Sequence, residues 1–451
     1  MKTNRQIKFF IIFTILLAVS ILGGFFNSNY SFAEDLPNTI NNINNINTIN
    51  PTNSGNSETL ETSSSTTNAN LKIYSDAVVI LENKTGKVLY EKNSEQKMYP
   101  ASTTKILTAI LAIEKGNLQD KTKVSKSALA EMKSGYSSAY LVEGEELTIE
   151  QLLEVLLVHS ANDASNVLAE YISGSISEFV NLMNNKLQEL GCTNTHFVTT
   201  NGLHDDNHYT TAKDMATLAR YCMKNATFRK IVSMPRCIIP ATNKSQQRVY
   251  KNTNDLIINT SIYYYPGCIG IKTGFTSQAK NCLISACSKN GLQTIAVVLG
   301  SSITENRRSA RYVDSKTLYD YVYENYAFSK IASAKSCVKT IEVQGATEET
   351  KSLNLLLQDD ITSLVKKGTA ENIVPQIQLN SQISAPIAQN TVLGKATYTI
   401  DGETYSTNLI AEHNVEKDNT IIILLRILLG LVVFIIFMIL IISILKRLKK
   451  K

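Results

Sequence analysis

The sequence predicts an α+β fold in which one antiparallel sheet, built from both ends of a main domain, is covered by helices that include a helical subdomain. A small all-β domain and a C-terminal transmembrane helix are expected to follow. Apolar runs bounded by turn residues occur near the start and the end of the main domain, and segments of helical period lie between them. An uncharged run of about 19 residues near the C-terminus is long enough to span a bilayer.

Strands are predicted on both sides of a helical middle. Ala77–Leu81 and Val88–Tyr90 are apolar runs joined by a link that contains Lys84-Thr85-Gly86, which predicts a hairpin. The residues Ser288–Gly291 are typical of a turn between two strands. Three strands are predicted near the end of the main domain: Ile269–Thr276, Asn281–Ser288 and Leu292–Leu299.

Helices are predicted from apolar periodicity and from start signals. Pro100 precedes Ser102 and a long apolar run, which indicates that a helix begins there. A tyrosine-rich helix from Asn306 to about Tyr326 closes the main domain. The candidate helices of the middle are Ile149–Leu157, Asp163–Ser173, Ile176–Leu190 and Thr211–Met223.

The N-terminal region has the composition of a secretory signal followed by a linker. A short basic region precedes an apolar run from Phe9 to about Phe26, and Ser31-Phe-Ala33 supplies small residues for cleavage. We therefore predict a signal peptide over residues 1–33, with an uncleaved anchor as the alternative. Residues 34–70 are rich in Ser, Thr and Asn, which predicts a flexible linker.

The main domain is predicted over residues 71–330 and a small β-rich domain over 331–416. Short segments separated by turns, such as Val343-Gln-Gly, Gln376–Leu379 and Ala396–Ile400, indicate the second domain. It contains no cluster of candidate catalytic residues, so a spacer or interaction role is expected for it.

A membrane anchor is predicted over residues 421–445. The run from Ile427 to Leu445 is apolar on every face, which favours a span over an amphipathic surface helix. The basic tail, residues 446–451, is expected to stay in the cytoplasm. Everything between the signal peptide and the anchor is then extracytoplasmic.

Charge and cysteine content exclude several classes of protein. The net charge is +6, and five of the positive charges lie in the C-terminal tail, so no nucleic-acid partner is expected. Seven cysteines are too few for a disulfide framework in a domain of this size. Cys282 and Cys287 lie in one predicted strand and point to opposite faces, and most cysteines are expected to be buried. No C-x-x-C or H-E-x-x-H pattern occurs, so neither a metal nor a cofactor is predicted.

Three short motifs in a fixed order carry the candidate chemistry. They supply a hydroxyl with an amine one helical turn away, a second hydroxyl with an amide, and a cation on a strand. These groups suit acyl transfer on a substrate with a free carboxylate. The motifs are Ser102-Thr-Thr-Lys105, Ser160-Ala-Asn162 and Lys272-Thr273-Gly274.

The first motif predicts a nucleophile and its base. A serine hydroxyl is a poor nucleophile unless a base removes its proton. Residues three apart on a helix share a face, so Lys105 is expected beside Ser102. Burial among apolar residues and a nearby Lys272 charge would lower the pKa of Lys105 and leave its amine neutral.

The second motif allows two readings. Ser160 and Asn162 lie in a turn between two predicted helices, where either side chain can cap the following helix. The alternative is that both side chains face the reacting groups.

The third motif predicts a binding strand. Gly274 has no side chain to block a ligand that lies along an edge strand. The backbone N–H groups of Ser102 and Phe275 are predicted to form an oxyanion hole. The side chains predicted to address a substrate carboxylate are those of Lys272, Thr273 and Thr276.

These motifs and their surroundings closely resemble the serine-type D-alanyl-D-alanine carboxypeptidases, which are low-molecular-mass penicillin-binding proteins. The resemblance covers about Ile73 to Phe328. It is carried by five stretches: Tyr99-Pro-Ala-Ser-Thr-Thr-Lys-Ile-Leu-Thr-Ala, Val158-His-Ser-Ala-Asn-Asp-Ala-Ser, Gly202-Leu-His-Asp, His208-Tyr-Thr-Thr-Ala-Lys-Asp-Met and Gly270-Ile-Lys-Thr-Gly-Phe-Thr.

The resemblance implies a β-lactamase/transpeptidase-like fold and a role for each motif. Ser102 forms the acyl-enzyme, Lys105 accepts the proton, Ser160 and Asn162 assist, and Lys272 binds substrate. The implied reaction removes the terminal D-alanine from peptidoglycan stem pentapeptides, which limits cross-linking of the cell wall. Inhibition by β-lactam antibiotics is implied as well.

Two alternatives remain at this stage. A class A-like β-lactamase would need a carboxylate for deacylation, usually in an E-x-x-L-N loop, and no such string lies between the second and third motifs. A catalytically silent wall-binding protein would keep the fold without using the reactive side chains.

Overall fold

The computed structural model describes residues 70–130, 132, 135–368 and 373–448. The predicted signal peptide, the predicted linker except for Asn70, and the last three residues of the basic tail lie outside the described residues.

The main domain contains the predicted strands and helices in their predicted order, together with two short helices and two small two-stranded sheets that were not predicted. Its helices are α1 (Lys105–Lys115), α2 (Lys126–Leu129), α3 (Ile149–Glu154), α4 (Asn162–Ser173), α5 (Ile176–Glu189), α6 (Ala212–Cys222), α7 (Ala226–Val232) and α8 (Ala310–Asn325). Its strands are β1 (Ala77–Glu82), β2 (Val88–Lys92), β3 (Lys121–Lys123), β4 (Glu146–Thr148), β5 (Arg236–Ile239), β6 (Arg248–Lys251), β7 (Cys268–Thr276), β8 (Lys280–Lys289) and β9 (Leu292–Ser301).

The central sheet has five antiparallel strands in the order β2-β1-β9-β8-β7. The first two strands of the domain therefore pair with the last three, and the helical middle is inserted between them. This is the predicted α+β arrangement, and the prediction is confirmed. The order leaves β7, which carries Lys272, Thr273 and Gly274, at an edge of the sheet.

Both faces of the sheet are buried. Because side chains alternate along each strand, one strand contributes to two cores. On β1, Val79 and Leu81 point into the core that is covered by α1, α4 and α6. Val78 and Ile80 point into a second core, which contains the tyrosine-rich helix α8. A strand with both faces buried has a continuous apolar sequence, as Ala77–Leu81 does.

Two predicted helices differ from those observed. The segment expected to be helical over Ile149–Leu157 consists of α3 and a π-helical turn, Val155–His159. The tyrosine-rich helix begins at Ala310 rather than at Asn306. A wider π turn is a frequent feature of functional sites, and this one leads directly into the second motif.

The C-terminal region forms an all-β unit, as predicted. Tyr326 follows α8 without a linker and begins β10, which pairs with β13. The segment expected at Val343-Gln-Gly lies just beyond the end of β11. The strands are β10 (Tyr326–Ala332), β11 (Cys337–Glu342), β12 (Ser352–Leu357), β13 (Ile361–Lys366), β14 (Gln376–Leu379), β15 (Val392–Ile400) and β16 (Glu403–Ala411), with β11, β12, β16, β15 and β14 in one sheet.

A long helix, α9 (Thr420–Leu448), follows the all-β unit. It is the one helix in the described part of the chain that is long and apolar enough to cross a membrane. Its apolar side chains are exposed rather than packed against the protein. Helix α9 is therefore a candidate membrane anchor.

Candidate active site

Ser102 is presented by a tight turn that leads into a buried helix. It lies in the 3-10 turn Ala101–Thr104, and α1 begins at the next residue, Lys105. The turn is closed by Thr103, whose N–H and hydroxyl both donate to the carbonyl oxygen of Pro100. Ser102 remains half-exposed, whereas Lys105 is completely buried.

The Lys105 amine has three polar neighbours. Its Nζ lies 2.9 Å from Ser102 Oγ, and it donates to Asn162 Oδ1 at 2.5 Å and to the Asn201 carbonyl oxygen at 2.6 Å. A neutral amine has two hydrogens and one lone pair. The two carbonyl oxygens can take both hydrogens, and the lone pair is then directed at the serine hydroxyl. The contacts therefore match those of a base that is ready to accept the proton of Ser102.

Electrostatics favour the neutral form of this amine. Burial lowers the pKa of Lys105 well below the ordinary value of a lysine, and the positive charge of Lys272 lowers it further. The carboxylate of Asp163 acts in the opposite direction and is outweighed. The sequence predicted both causes of the lowered pKa.

The second motif does not cap a helix. Ser160 ends the π turn in the left-handed conformation, with φ of 71°, and the N-cap residue of α4 is Ala161, whose side chain makes no capping bond. Asn162 instead binds Lys105. Ser160 is 6% exposed, and its hydroxyl has no hydrogen-bond partner within the described residues. A strained backbone at a polar residue is characteristic of functional sites.

Gly274 brings the edge strand against the serine turn. A Cβ atom at this position would lie 2.9 Å from the Pro100 carbonyl oxygen and 3.1 Å from the Ser102 nitrogen. The prediction from the sequence was that Gly274 leaves space for a ligand along the edge strand. The structure adds a packing reason, since any larger residue would push β7 away from Ser102.

Lys272 is buried on the same strand. It is 1% exposed, and its Nζ donates to the Thr273 carbonyl oxygen at 3.0 Å. Burial, together with the charge of Arg311, lowers the pKa of Lys272 to about 7. The Thr273 hydroxyl is 2.6 Å from that of Thr253, and the Thr276 hydroxyl accepts from the backbone of the following turn.

Arg311 is a residue of the site that the sequence analysis missed. It lies near the start of α8, its guanidinium stacks on the Tyr312 ring at 4.8 Å, and its Nη1 donates to the Gly274 carbonyl oxygen at 3.4 Å. Its Nε is buried and has no partner among the described residues. No motif marks this position, which is distant in sequence from Gly274, and the helix was assigned a structural role only.

The contact of Asn201 with Lys105 was not predicted either, although the resemblance includes the adjacent Gly202. In the same loop, the Thr200 carbonyl oxygen accepts from the hydroxyls of Thr108 and Ser165, at 2.5 and 2.7 Å. Gly202 has φ of +81°, and a Cβ there would lie 1.9 Å from the Ala101 carbonyl oxygen. The loop can therefore approach the serine turn only with glycine at this position.

A buried histidine joins the same loop to the serine turn. His208 Nδ1 accepts from the Val198 N–H at 3.0 Å, so the ring proton is on Nε2 and is donated to the Thr104 hydroxyl at 2.8 Å. Thr104 in turn donates to the Ala101 carbonyl oxygen. Burial lowers the pKa of His208 to about 3, so this connection is uncharged at neutral pH.

The described residues contain no group of three or more His, Cys, Asp or Glu side chains that could hold a metal ion. The reactive groups of the site are the serine hydroxyls, the lysine amines and the amide of Asn162.

Known proteins resemble most of this chain. A family profile described as D-alanyl-D-alanine carboxypeptidase, Peptidase S11, matches residues 63–303, and a profile for the C-terminal domain of penicillin-binding protein 5 matches residues 326–417. The D-alanyl-D-alanine carboxypeptidase DacF of Bacillus subtilis is 36% identical over 339 residues, which cover 74% of this chain and 84% of DacF.

Solved structures show the same two-part architecture. Penicillin-binding protein 5 of Haemophilus influenzae is 27% identical, with a TM-score of 0.58, and covers 77% of this chain and 99% of its own. A peptidoglycan synthesis regulatory factor (PBP3) of Streptococcus pneumoniae is 26% identical, with a TM-score of 0.61, and covers 76% of this chain and 100% of its own.

Fold and matches together define a serine peptidase with a C-terminal all-β domain. More narrowly, the chain belongs to the D-alanyl-D-alanine carboxypeptidase family, Peptidase S11. The resemblance stated from the sequence is confirmed. The matches favour neither the β-lactamase alternative nor the catalytically silent one.

The close approach at Gly202 yields a test of the site geometry. Gly202→Ala should slow acylation by a fluorescent penicillin by about tenfold or more, because the new Cβ would displace the turn that carries Ser102. Gly174→Ala is the matched control: it also has a positive φ, but no atom lies within 4 Å of its added Cβ. Equal labelling rates in the two variants would contradict the proposed tight packing.

Proposed function

We propose that Ser102 attacks the carbonyl carbon of the penultimate D-alanine of a peptidoglycan stem peptide, with Lys105 as the base. The three contacts of the Lys105 amine carry this proposal, because they leave its lone pair on the serine hydroxyl. The proton moves from Ser102 Oγ to Lys105 Nζ as the C–O bond forms. The product of this step is a tetrahedral intermediate.

The oxyanion of that intermediate is assigned to two backbone donors, the N–H groups of Ser102 and Phe275. Support comes from the close approach of Gly274, which brings the start of the serine turn against β7. Both N–H groups belong to backbone segments that are fixed by close packing. They therefore need little reorganisation when negative charge develops on the oxyanion.

Substrate would lie along the edge of β7 that pairs with no other strand of the sheet, with its terminal carboxylate at the cations. Lys272 and Arg311 supply the charge, since the charge of Arg311 acts on Lys272 and the Arg311 Nε has no protein partner among the described residues. The hydroxyls of Thr273 and Thr276 can donate to the same carboxylate. Two neighbouring cations, one of them with an unpaired donor, suit an anionic ligand.

The departing D-alanine needs a proton on its nitrogen. We assign its delivery to Ser160, whose buried hydroxyl has no other partner in the described structure and adjoins Asn162, which holds Lys105. Lys105 passes to Ser160 the proton that it took from Ser102, so its amine is neutral again. Water then attacks the acyl-enzyme as Lys105 accepts its proton, and that proton returns to Ser102 Oγ when the bond to the acyl carbon breaks. Hydrolysis frees the shortened stem peptide and restores Ser102.

In the cell this reaction would remove the terminal D-alanine of stem pentapeptides and so limit cross-linking of peptidoglycan. The family match and the relatives named D-alanyl-D-alanine carboxypeptidase support this assignment. β-Lactams would acylate Ser102 in the same way and act as inhibitors, which agrees with the penicillin-binding neighbours.

An extracytoplasmic location follows from the two ends of the chain. The proposed signal peptide, residues 1–33, would export the chain, and α9 would hold it in the membrane. Helix α9 begins two residues after Asp418, whose N–H donates to the Gly345 carbonyl oxygen. The all-β unit would therefore stand directly on the membrane surface.

The nucleophile is tested by Ser102→Ala. This variant should lose both penicillin labelling and release of D-alanine from a pentapeptide, whereas its circular dichroism should stay unchanged. Lys105→Ala should slow acylation by about a thousandfold or more, because Ser102 loses its base. Ser94→Ala, at a serine that is bonded to Glu91 outside the site, is the control. Product release by Ser102→Ala would rule out the proposal.

The pH dependence of kcat and of KM should distinguish the roles of Lys105 and Lys272. kcat should rise with pH as Lys105 loses its proton, whereas KM should rise above pH 7 as Lys272, with its pKa of about 7, loses the charge that binds the carboxylate. Lys272→Met should raise KM at pH 6 by about tenfold or more and abolish its pH dependence. Lys280→Met, at an exposed lysine on the next strand, should change neither. A pH-independent KM in the unmodified enzyme would contradict the role of Lys272.

The anchor is tested by ending the chain at Asp418. The full chain should fractionate with membranes, whereas the shortened chain should be released and still be labelled by penicillin. The reason is that the truncation removes α9 and leaves the all-β unit intact. Membrane association of the shortened chain would show that attachment lies elsewhere.

A further inference from the structure

Two cysteines lie directly opposite each other at the start of the edge strand. Cys268 of β7 is paired in register with Cys287 of β8. Residues directly opposite in an antiparallel pair have Cα atoms about 4.5 or 5.5 Å apart and side chains on the same face. A disulfide requires Cα atoms about 4.4–6.8 Å apart, and the separation expected for this pair lies within that range.

The surroundings place both sulfurs in one pocket of the core. Cys287 belongs to the core beneath α8, and Cys268 packs against the same core. Burial, and after it the electrostatic effect of Cys268 and Cys287, raises the pKa of Tyr319, which belongs to the same core. Both cysteines are free thiols in the structure.

Cys282 and Cys337 do not have this arrangement. Cys282 lies on the same strand as Cys287 but points into the opposite core, as the sequence predicted. Cys337 is exposed and lies in the all-β unit. Spacing along the chain does not identify Cys268 as the residue opposite Cys287, because only the strand register shows which residues face each other.

We propose that Cys268 and Cys287 form a redox pair that closes to a disulfide across β7 and β8 when the chain meets an external disulfide. One thiolate attacks that disulfide, forms a mixed disulfide and releases one thiol. The second thiolate attacks the cysteine sulfur of the mixed disulfide and releases the other. The pair loses two electrons and two protons, and the external disulfide gains them as two thiols.

Closure belongs to folding rather than to the finished protein. Burial raises the pKa of Cys268 to about 12 and also raises that of Cys287, so thiolates are scarce once the core has formed. The exposed hairpin of the folding chain has no such barrier.

The bond would fix the register of the binding strand. β7 has β8 as its single neighbour in the sheet, and its pairing shifts between Cys268 and Gly270. Lys272 follows a few residues later on the same strand. A disulfide at Cys268 would prevent β7 from separating from β8 at the beginning of the strand. It would stabilise the domain mainly by reducing the conformational entropy of the unfolded state.

The test uses the full chain in detergent, with Cys337→Ser as background so that the exposed thiol cannot cross-link two molecules. The protein is refolded in oxidised or in reduced glutathione, and unreacted thiols are alkylated under denaturing conditions before digestion without reductant. Oxidation should yield one linked peptide pair that contains Cys268 and Cys287. The Tm of the oxidised protein should exceed that of the reduced protein by about 5 °C or more.

Controls separate this pair from other thiols. Cys282→Ser should retain the linked peptide, whereas Cys268→Ser and Cys287→Ser should each lose both the linked peptide and the rise in Tm. Penicillin labelling should be equal in oxidised and reduced protein, so the result is independent of the proposed activity. Full alkylation of Cys268 and Cys287 after oxidative refolding, or a link to any other cysteine, would overturn the proposal.

Discussion

Enclosure of one lysine amine is the constraint on which the active site depends. A charged ammonium with no carboxylate in contact is costly in a protein interior, so burial of Lys105 selects the neutral amine. Its two carbonyl partners, from Asn162 and Asn201, then determine where the lone pair points. The same burial that makes the lysine a base therefore also directs it at Ser102.

Close backbone packing maintains that geometry. Two segments that are distant in sequence pack against the serine turn, namely the edge strand at Gly274 and the loop at Gly202. At both glycines a side chain would collide with main-chain atoms, so no rotamer change could relieve the contact. The uncharged hydrogen bond from His208 to Thr104 adds a connection that does not change with pH near neutrality.

Helix α8 influences the charge of the binding strand through Arg311. Helix α8 packs beneath the sheet and sends Arg311 to the edge strand, where its charge lowers the pKa of Lys272. An anionic ligand would raise that pKa again, because a carboxylate stabilises the charged amine. Binding of a carboxylate and protonation of Lys272 are thus coupled at this edge.

The sequence by itself determined the five strands of the central sheet, most of the helices, the small β-rich unit and the candidate groups Ser102, Lys105 and Lys272, because apolar period and motif chemistry are local properties. Only the tertiary structure decided which distant groups complete the site. Asn201 contributes a backbone carbonyl, which has no signature in the sequence, and Arg311 lies on a helix whose pattern indicates packing alone. The same applies to Cys268 and Cys287, since strand register, and not spacing along the chain, decides which side chains are opposite.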